Sequence, residues 1–261
     1  MALNDEVRSN LLALAHELGD ARQMSILGEG NVSASLGRQH FLVKASGTQL
    51  GSLRSEELVE VDSRPLLEAL AVHDELSDSD IEALLLDSRK NERALKPSVE
   101  TVFHAWLLQQ PNVIFVGHVH AIAVNQVLAS PRKREFAERR VIPDQVVYCG
   151  AESVLVPYVD PGFVLARRIQ DEVEAFRGRT GALPKTILLE SHGIIAVGTH
   201  PSEVAAALAM AEKAARIFVG AAGLGGPIFM DDTEVHRIAG RSDEHYRQRM
   251  LLEHKTGPDL K

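Results

Sequence analysis

Histidines suited to metal binding stand where apolar stretches of the chain end. His118 and His120 flank a single valine at the end of one apolar run. In an extended strand, residues two apart point to the same face, so both imidazoles can reach one point. This geometry suits two ligands of one divalent metal ion. The alternative is that both are ordinary histidines at the end of a strand.

A third histidine strengthens the metal interpretation. His192 also follows an apolar run, and Gly193 after it permits a tight turn. Three neutral imidazoles with one open position are typical of a catalytic rather than a structural zinc site. The alternative for His192 is a turn residue that bonds only to backbone. Imidazole also suits manganese, iron and cobalt, so the pattern predicts a divalent metal without fixing its identity.

Groups that could bind an anion occur in further segments. Residues 28–33 and 44–48 combine glycine with small polar residues, which lets backbone N–H groups approach an anion closely. Each is by itself more often a plain turn, and neither is a P-loop or a dinucleotide fingerprint. Ser98, after a proline, is predicted to begin a helix whose free N–H groups attract a phosphate or carboxylate. Glu100 in that turn could simply favour the helix dipole, and His104 is interpreted as packing or as a partner of the site.

The elements that must position these residues alternate between helices and strands. Apolar residues at helical spacing predict helices at residues 3–18, 98–110, 121–128, 202–219 and 231–251, and another after Pro161-Gly162. Short apolar runs predict strands at residues 41–44, 58–61, 113–119, 145–148, 153–157, 186–190 and 194–197. Residues 28–37 are expected to form a turn region between strands. This mixture indicates a single α/β or α+β domain over residues 1–261.

The composition argues against several classes of function. The chain has 28 Lys plus Arg against 36 Asp plus Glu, a formal net charge of -8, so it lacks the excess of basic residues that a general nucleic-acid binder needs. Its apolar runs carry too many polar residues for a membrane span, and we expect no signal peptide. The single cysteine, Cys149, cannot form an internal disulfide, so we expect a reducing, cytoplasmic location.

In this order, the motifs resemble those of the class II aldolase/adducin family, and in particular rhamnulose- and fuculose-phosphate aldolases. The match rests on Gly-Asn-Val-Ser, Ser-Gly-Thr, Pro-Ser-Val-Glu with Phe-His, His-Val-His, Val-Pro-Tyr with Pro-Gly, and Ser-His-Gly, over roughly residues 5–220. Several family aldolases have serine where this chain has Val99. The resemblance implies a three-layer αβα sandwich around a central, mainly antiparallel sheet of nine strands. It also implies a homotetramer with active sites between subunits.

The resemblance further implies a role for each motif residue. His118, His120 and His192 would bind the metal, most often zinc, while Glu100 would ligate the resting metal or act as the acid/base. Residues that would bind phosphate or shape its turn are Gly30, Asn31, Ser46, Gly47 and Ser98. The implied reaction is retro-aldol cleavage of a ketose, typically a ketose 1-phosphate, to dihydroxyacetone phosphate and an aldehyde through a metal-stabilised enediolate. The implied partner is a small sugar or sugar phosphate, and Tyr246 is one candidate proton donor.

Alternative functions remain open on the same residues. Methylthioribulose-phosphate dehydratases show a similar Pro-Ser-x-Glu-Thr pattern, and epimerases and decarboxylases use the same kind of metal site. A non-catalytic, adducin-like interaction module would be expected to lack the ligands or to carry extra basic tails. This chain keeps the three histidines and Glu100, which favours an enzyme.

Overall fold

The computed structural model describes residues 2–37 and 39–241, and the strands within them form one sheet. The strands are β1 (Asn31–Gly37), β2 (His40–Lys44), β3 (Leu58–Asp62), β4 (Phe115–Val119), β5 (Val154–Val156), β6 (Thr186–Leu189) and β7 (Gly193–Gly198). Their order is β3-β2-β1-β4-β7-β6-β5, and only the β5–β6 pair is parallel. The expected mainly antiparallel sheet is therefore confirmed. It has seven strands in the described residues, where the resemblance implied nine.

Helices cover both faces of the sheet. They are α1 (Ala2–His16), α2 (Ser63–Val72), α3 (Asp78–Asp87), α4 (Thr101–Leu107), α5 (Ile122–Leu128), α6 (Lys133–Glu138), α7 (Pro143–Cys149), α8 (Phe163–Thr180), α9 (Pro201–Ala222) and α10 (Asp232–Ala239). One apolar core lies between the sheet and α1, α5 and α9, and the other lies between the sheet and α2, α4 and α8. Ile194 and Ile195, neighbours on β7, belong to opposite cores, as strand pleating requires. This confirms the αβα sandwich. No described helix is long and apolar enough to cross a membrane.

Two sequence predictions of local structure were wrong. Residues 28–37 were expected to be a turn region, but β1 begins at Asn31, and its first four residues are buried. Their polar side chains find partners on α4 and in the segment before it, which local composition cannot reveal. Residues 145–148 were expected to be a strand, but they lie in α7, which has a proline at its start and ends at Gly150. Val146 and Val147 there pack against α10.

The segment before α4 is not helical. Pro97 forms an isolated β-bridge with Ala45, and the Ser98 N–H donates to the Lys44 carbonyl at 3.1 Å. Because these bonds hold residues 97 and 98 in an extended conformation, α4 begins at Thr101 rather than at residue 98, and Glu100 takes the N-cap position.

In the predicted helix 231–251, α10 covers Asp232–Ala239. The rest of that prediction beyond residue 241, including Tyr246, lies outside the described residues.

Gly30 allows β1 to start directly beside β4. Asn31 pairs with His118 in the β1–β4 register, and Gly30 before it has φ of 66°. A Cβ atom on Gly30 would lie 2.6 Å from the His118 carbonyl oxygen and from the Ser25 hydroxyl. Only glycine tolerates both this left-handed conformation and this close approach.

Replacing Gly30 with alanine should therefore destabilise the fold more than replacing Gly37 does. Gly37 also has positive φ, 77°, but a Cβ there would have no neighbour within 4 Å. We expect G37A to cost about 1–2 kcal/mol from the left-handed conformation, and G30A to cost roughly 1–3 kcal/mol more from the clash. Urea unfolding of both variants measures the difference. Equal losses would show that the approach to β4 is unimportant.

Candidate active site

The three predicted metal ligands meet at one end of the sheet. His118 and His120 lie at and just beyond the end of β4, and His192 lies in the hairpin between β6 and β7. The β4–β7 register pairs Val119 with Ile194, which brings this hairpin beside the two histidines. The three ring centroids are each 4.9 Å from the other two. One nitrogen of each ring lies within 4.8 Å of the others, so the set can hold a metal ion.

Gly193 makes this close grouping possible. A Cβ on Gly193 would lie 2.5 Å from the Val119 carbonyl oxygen and 3.0 Å from the rings of both His118 and His120. Any larger residue would push the hairpin away from β4. Ser191 in the same hairpin has φ of 54°, a left-handed conformation that is uncommon for a non-glycine residue. The hairpin is thus constrained at both positions that flank His192.

Two of the three imidazoles, those of His118 and His192, are held neutral. His118 Nδ1 lies 3.1 Å from the Ile194 carbonyl oxygen, which can only accept, so Nδ1 carries the hydrogen and Nε2 faces the other histidines. Burial, helped by His120, lowers the pKa of His118 to about 3. Burial and His118 lower the pKa of His192 to about 4, against the opposing effect of Glu100. Both rings therefore present a free lone pair at neutral pH, as metal ligation requires.

Glu100 lies next to this group of imidazoles. Its side chain is only 7% exposed, with Oε1 3.5 Å from His192 Nε2 and Oε2 3.6 Å from His118 Nε2. Oε1 is buried and has no hydrogen-bond partner among the described residues. A buried carboxylate oxygen without a donor is costly unless a cation lies near it. The donor set of imidazoles and one carboxylate therefore fits a divalent metal.

A buried network holds the other oxygen of Glu100. Asn31 Nδ2 lies 2.7 Å from Glu100 Oε2 and 3.2 Å from Ser98 Oγ. Asn31 Oδ1 in turn bonds to His104 Nε2, and His104 Nδ1 lies 2.6 Å from Ser33 Oγ. The His104 ring also stacks on Phe103 at a centroid distance of 4.4 Å. His104 thus both packs and bonds towards the site.

Backbone and side-chain hydrogen bonds connect the segments that carry the predicted anion-binding residues. Ser46 donates its N–H to the Lys96 carbonyl, which ties the turn at residues 45–48 to the segment before α4. Ser46 and Gly47 are exposed, and the Gly47 N–H donates to no acceptor among the described residues. Ser98, bonded to Asn31, connects this turn to Glu100. Gly30 and Asn31 complete this connected set, so the structure brings all five residues to the end of the sheet that carries the histidines.

Lys44 begins the predicted anion-binding segment 44–48, but sequence reasoning did not predict its role. It is 2% exposed, and its Nζ donates to the Thr48 carbonyl at 2.7 Å and more weakly to the Ala45 and Gly28 carbonyls. Burial lowers its pKa to about 8, although Glu100 and Glu57 oppose the change. The lysine thus joins the two glycine-containing turns and leaves a positive charge beneath them. The sequence signal that could have indicated this role is the position of the lysine at the end of an apolar strand.

Contacts of α5 also support the histidines, and sequence reasoning did not find them. Asn125 Nδ2 donates to the His192 carbonyl at 3.0 Å. The Glu212 carboxylate, on α9, accepts the N–H groups of Ala123 and Val124 at 3.1 and 3.3 Å. Both contacts span more than 60 residues of sequence, so no local pattern could have indicated them.

Comparison with known proteins identifies the family of the chain. The family model for the class II aldolase and adducin N-terminal domain matches residues 9–219. The chain belongs to the class II aldolase/adducin family. The family has divalent-metal-dependent members, and the histidine group described above could hold such an ion.

Curated relatives of this class II aldolase-family chain are distant. An uncharacterized oxidoreductase, YuxG, from Bacillus subtilis is 27% identical over 202 residues, which cover 73% of this chain and 25% of that protein. Methylthioribulose-1-phosphate dehydratase from Geobacillus thermodenitrificans is 24% identical over 163 residues, which cover 60% of this chain and 64% of that enzyme. The chain therefore spans about a quarter of the first relative and slightly less than two thirds of the second.

A solved structure shares the fold. L-fuculose-1-phosphate aldolase from Thermus thermophilus superposes with a TM-score of 0.60 at 18% identity, covering 85% of this chain and 98% of that chain. At this identity the likeness shows a common architecture of sheet and helices. It is consistent with the class II aldolase fold that the motifs predicted.

The neutral histidines should make the metal-free protein sensitive to mild acid. Because the folded pKa values of His118 and His192 lie below the ordinary value of 6.5, their contribution is fully present above pH 6.5 and is lost as pH falls below it. The loss should reach about 1–2 kcal/mol per histidine by pH 5. Urea unfolding with a chelator at pH 7, 6 and 5 measures it. H192N should show a shallower pH dependence, and an unchanged slope would contradict this origin.

Proposed function

We propose that this chain is a metal-dependent lyase that cleaves a ketose, most suitably a ketose 1-phosphate, to dihydroxyacetone phosphate and an aldehyde. The observation that carries the proposal is the unpartnered, buried Oε1 of Glu100, 3.5 Å from a neutral imidazole. A base of this kind beside a metal site suits proton transfer at a carbon next to a carbonyl. Ser46, Gly47 and Ser98 lie in the connected segments that would bind the anionic end of the substrate.

His118, His120 and His192 would hold the metal, with Glu100 as a further ligand in the resting state. Zinc is our first choice, while the imidazole and carboxylate set also suits manganese, cobalt and iron. When bound, a divalent metal supplies a Lewis acid that stabilises negative charge developing on the substrate oxygens.

Glu100 would move the proton during the reaction. In the condensation direction it would remove a proton from the carbon that becomes nucleophilic, and after cleavage it would return the proton to that carbon. Asn31 holds Oε2 by a hydrogen bond of 2.7 Å, which fixes the carboxylate while Oε1 stays free. The bond to Oε2 therefore orients the base without consuming its reactive oxygen.

The phosphate would bind to the turn at residues 45–48 and to Ser98. The exposed hydroxyl of Ser46 and the free N–H of Gly47 offer donors, and the buried Lys44 ammonium adds positive charge beneath them. Gly30 would shape the neighbouring turn. Asn31 stays a predicted phosphate ligand, although both of its amide hydrogens are donated within the protein.

Substituting Glu100 with glutamine should abolish turnover while largely sparing metal content. The amide keeps the shape of the side chain but cannot accept the proton, and we expect kcat to fall by about 10²–10⁴. A screen of ketose 1-phosphates with zinc-, cobalt- and manganese-loaded protein, read by aldehyde release, supplies the assay. E60Q, which only breaks a surface pair with Lys90, is the matched control. An E100Q kcat within about tenfold of the unchanged protein would remove Glu100 from this role.

Dehydration is the second candidate, favoured by the similarity to methylthioribulose-1-phosphate dehydratase. The same metal ligands and Glu100 could serve loss of water, because both reactions begin with polarisation of a carbonyl. Product analysis separates them. An aldehyde together with dihydroxyacetone phosphate supports aldol cleavage, whereas a single product lighter by one water supports dehydration.

We also propose that the chain acts as a homotetramer, in which a neighbouring subunit covers the open side of the site. Ile26, Leu27 and Ile122 are 62%, 72% and 69% exposed, and they line a cavity of about 540 Å³. Ile122 follows His120 by two residues, and the His120 N–H donates to the Met24 carbonyl just before Ile26. Apolar side chains so exposed beside a site are typical of a surface that another chain covers. Sedimentation at micromolar concentration tests this proposal, and a monomer would contradict it.

We further propose a cytoplasmic location, with which the free and buried Cys149 thiol accords.

A further inference from the structure

We infer that His104 and Ser33 are positioning residues that fix the amide of Asn31 and thereby leave one defined oxygen of Glu100 bare. The inference deepens the proposed function, since it concerns how the proposed base is held. Neither His104 nor Ser33 contacts the group of metal-binding nitrogens. Their effect would pass through Asn31, which bonds to Glu100 at 2.7 Å.

A count of donors fixes the direction of every bond in this network. Complete burial lowers the pKa of His104 well below its ordinary value, so the ring is neutral and has a single N–H. If Asn31 Nδ2 donates to the Glu100 carboxylate, then Asn31 Oδ1 faces His104 and can only accept. His104 Nε2 must therefore donate. Nδ1 is left as an acceptor, and the Ser33 hydroxyl at 2.6 Å donates to it.

The opposite orientation of the Asn31 amide would fail. With the amide flipped, its oxygen would face Glu100 Oε2, and two acceptors would meet without a hydrogen in a buried place. The His104 N–H acts together with Glu100 against this state, because it finds an acceptor on Asn31 only when the amide nitrogen faces Glu100. His104, held in this tautomer by the Ser33 hydroxyl, thus supports the orientation that the Glu100 carboxylate requires.

The network affects two groups that could contact a ligand, Glu100 Oε1 and the Ser98 hydroxyl. Both hydrogens of the Asn31 amide are used, one on Glu100 Oε2 and one on Ser98 Oγ, and Glu100 Oε1 has no donor in the part of the chain that the structure describes. Ser98 Oγ accepts from Asn31 and, at 3.4 Å, from the Glu100 N–H. Its own hydrogen is therefore available for an oxygen of the substrate. One network thus leaves both an acceptor, Glu100 Oε1, and a donor, the Ser98 hydroxyl, for a ligand.

The competing explanation is that His104 only fills space. It is fully buried and stacks on Phe103, so its loss would disturb packing in any case. His104→Phe keeps an aromatic ring and removes the donor. His104→Gln keeps an N–H near the position of Nε2 but loses the ring. The two variants therefore separate the hydrogen bond from the packing.

The experiment loads the full chain and these variants with cobalt(II). It records the visible absorption spectrum, cobalt affinity by competition with a chelator, and kcat and KM. We expect H104F to alter the spectrum, weaken cobalt binding by about 10–100-fold and lower kcat by a similar factor with little change in KM. H104Q should recover most of both losses. V102A, a core truncation on the same helix, should lose stability with an unchanged spectrum.

An unchanged spectrum and cobalt affinity in H104F, or equal defects in H104F and H104Q, would overturn the inference. If H104F fails to fold, S33A supplies the test, because it removes the donor to Nδ1 and should shift the spectrum in the same direction by a smaller amount. The cobalt measurements need no substrate. A wild-type protein that binds cobalt but cleaves no ketose phosphate would therefore refute the proposed function while leaving this inference open to its own test.

Discussion

The buried negative charge of Glu100 is the constraint on which the rest of the site depends. A carboxylate removed from water needs compensation, and the two imidazoles nearest to it cannot give it because their lowered pKa values keep them neutral. The 3.5 and 3.6 Å contacts are therefore not ion pairs. One hydrogen bond from Asn31 and the field of Lys44 offset part of the cost. The rest of this cost is not offset by the protein, so the site favours the binding of a cation.

The fold meets this constraint through strand register. Asn31 lies opposite His118 in the β1–β4 pair, and Val119 lies opposite Ile194 in the β4–β7 pair, so three central strands deliver polar groups to one end of the sheet. Each of these strand pairs includes a glycine that lies very close to β4. A Cβ on Gly30 would be 2.6 Å from the His118 carbonyl oxygen, and a Cβ on Gly193 would be 2.5 Å from the Val119 carbonyl oxygen. The apolar cores on either face hold this register, because a slip by one residue would move each buried side chain into the core on the opposite face, where it does not fit.

Sequence patterns predicted the parts of this site that depend on local spacing. Two histidines on one strand face and a glycine after a third are visible without any structure, and the predicted strands at 113–119 and 186–190 lie close to the observed ones. The start of β1 was missed because its buried serine and asparagine are satisfied by residues about 70 positions away. Residues 145–148 were assigned to a strand because two valines and a tyrosine fit either element. The flanking Pro143 and Gly150, together with the packing of Val146 and Val147 against α10, accompany the helix that forms.

The charges of the site also explain how a chain of net charge -8 could bind a small dianion. Lys44 and Glu100 carry opposite single charges, and with a pKa of about 8 the lysine stays largely protonated at neutral pH. They cancel, so the buried pair alone gives a phosphate ester, at about two negative charges, no net attraction. A divalent cation on the histidines would restore the balance, with two positive charges facing two negative ones. In the proposed function the phosphate and the metal would therefore form one electrostatic unit, and the overall acidity of the protein would exclude only extended polyanions, which would have to contact its acidic surface.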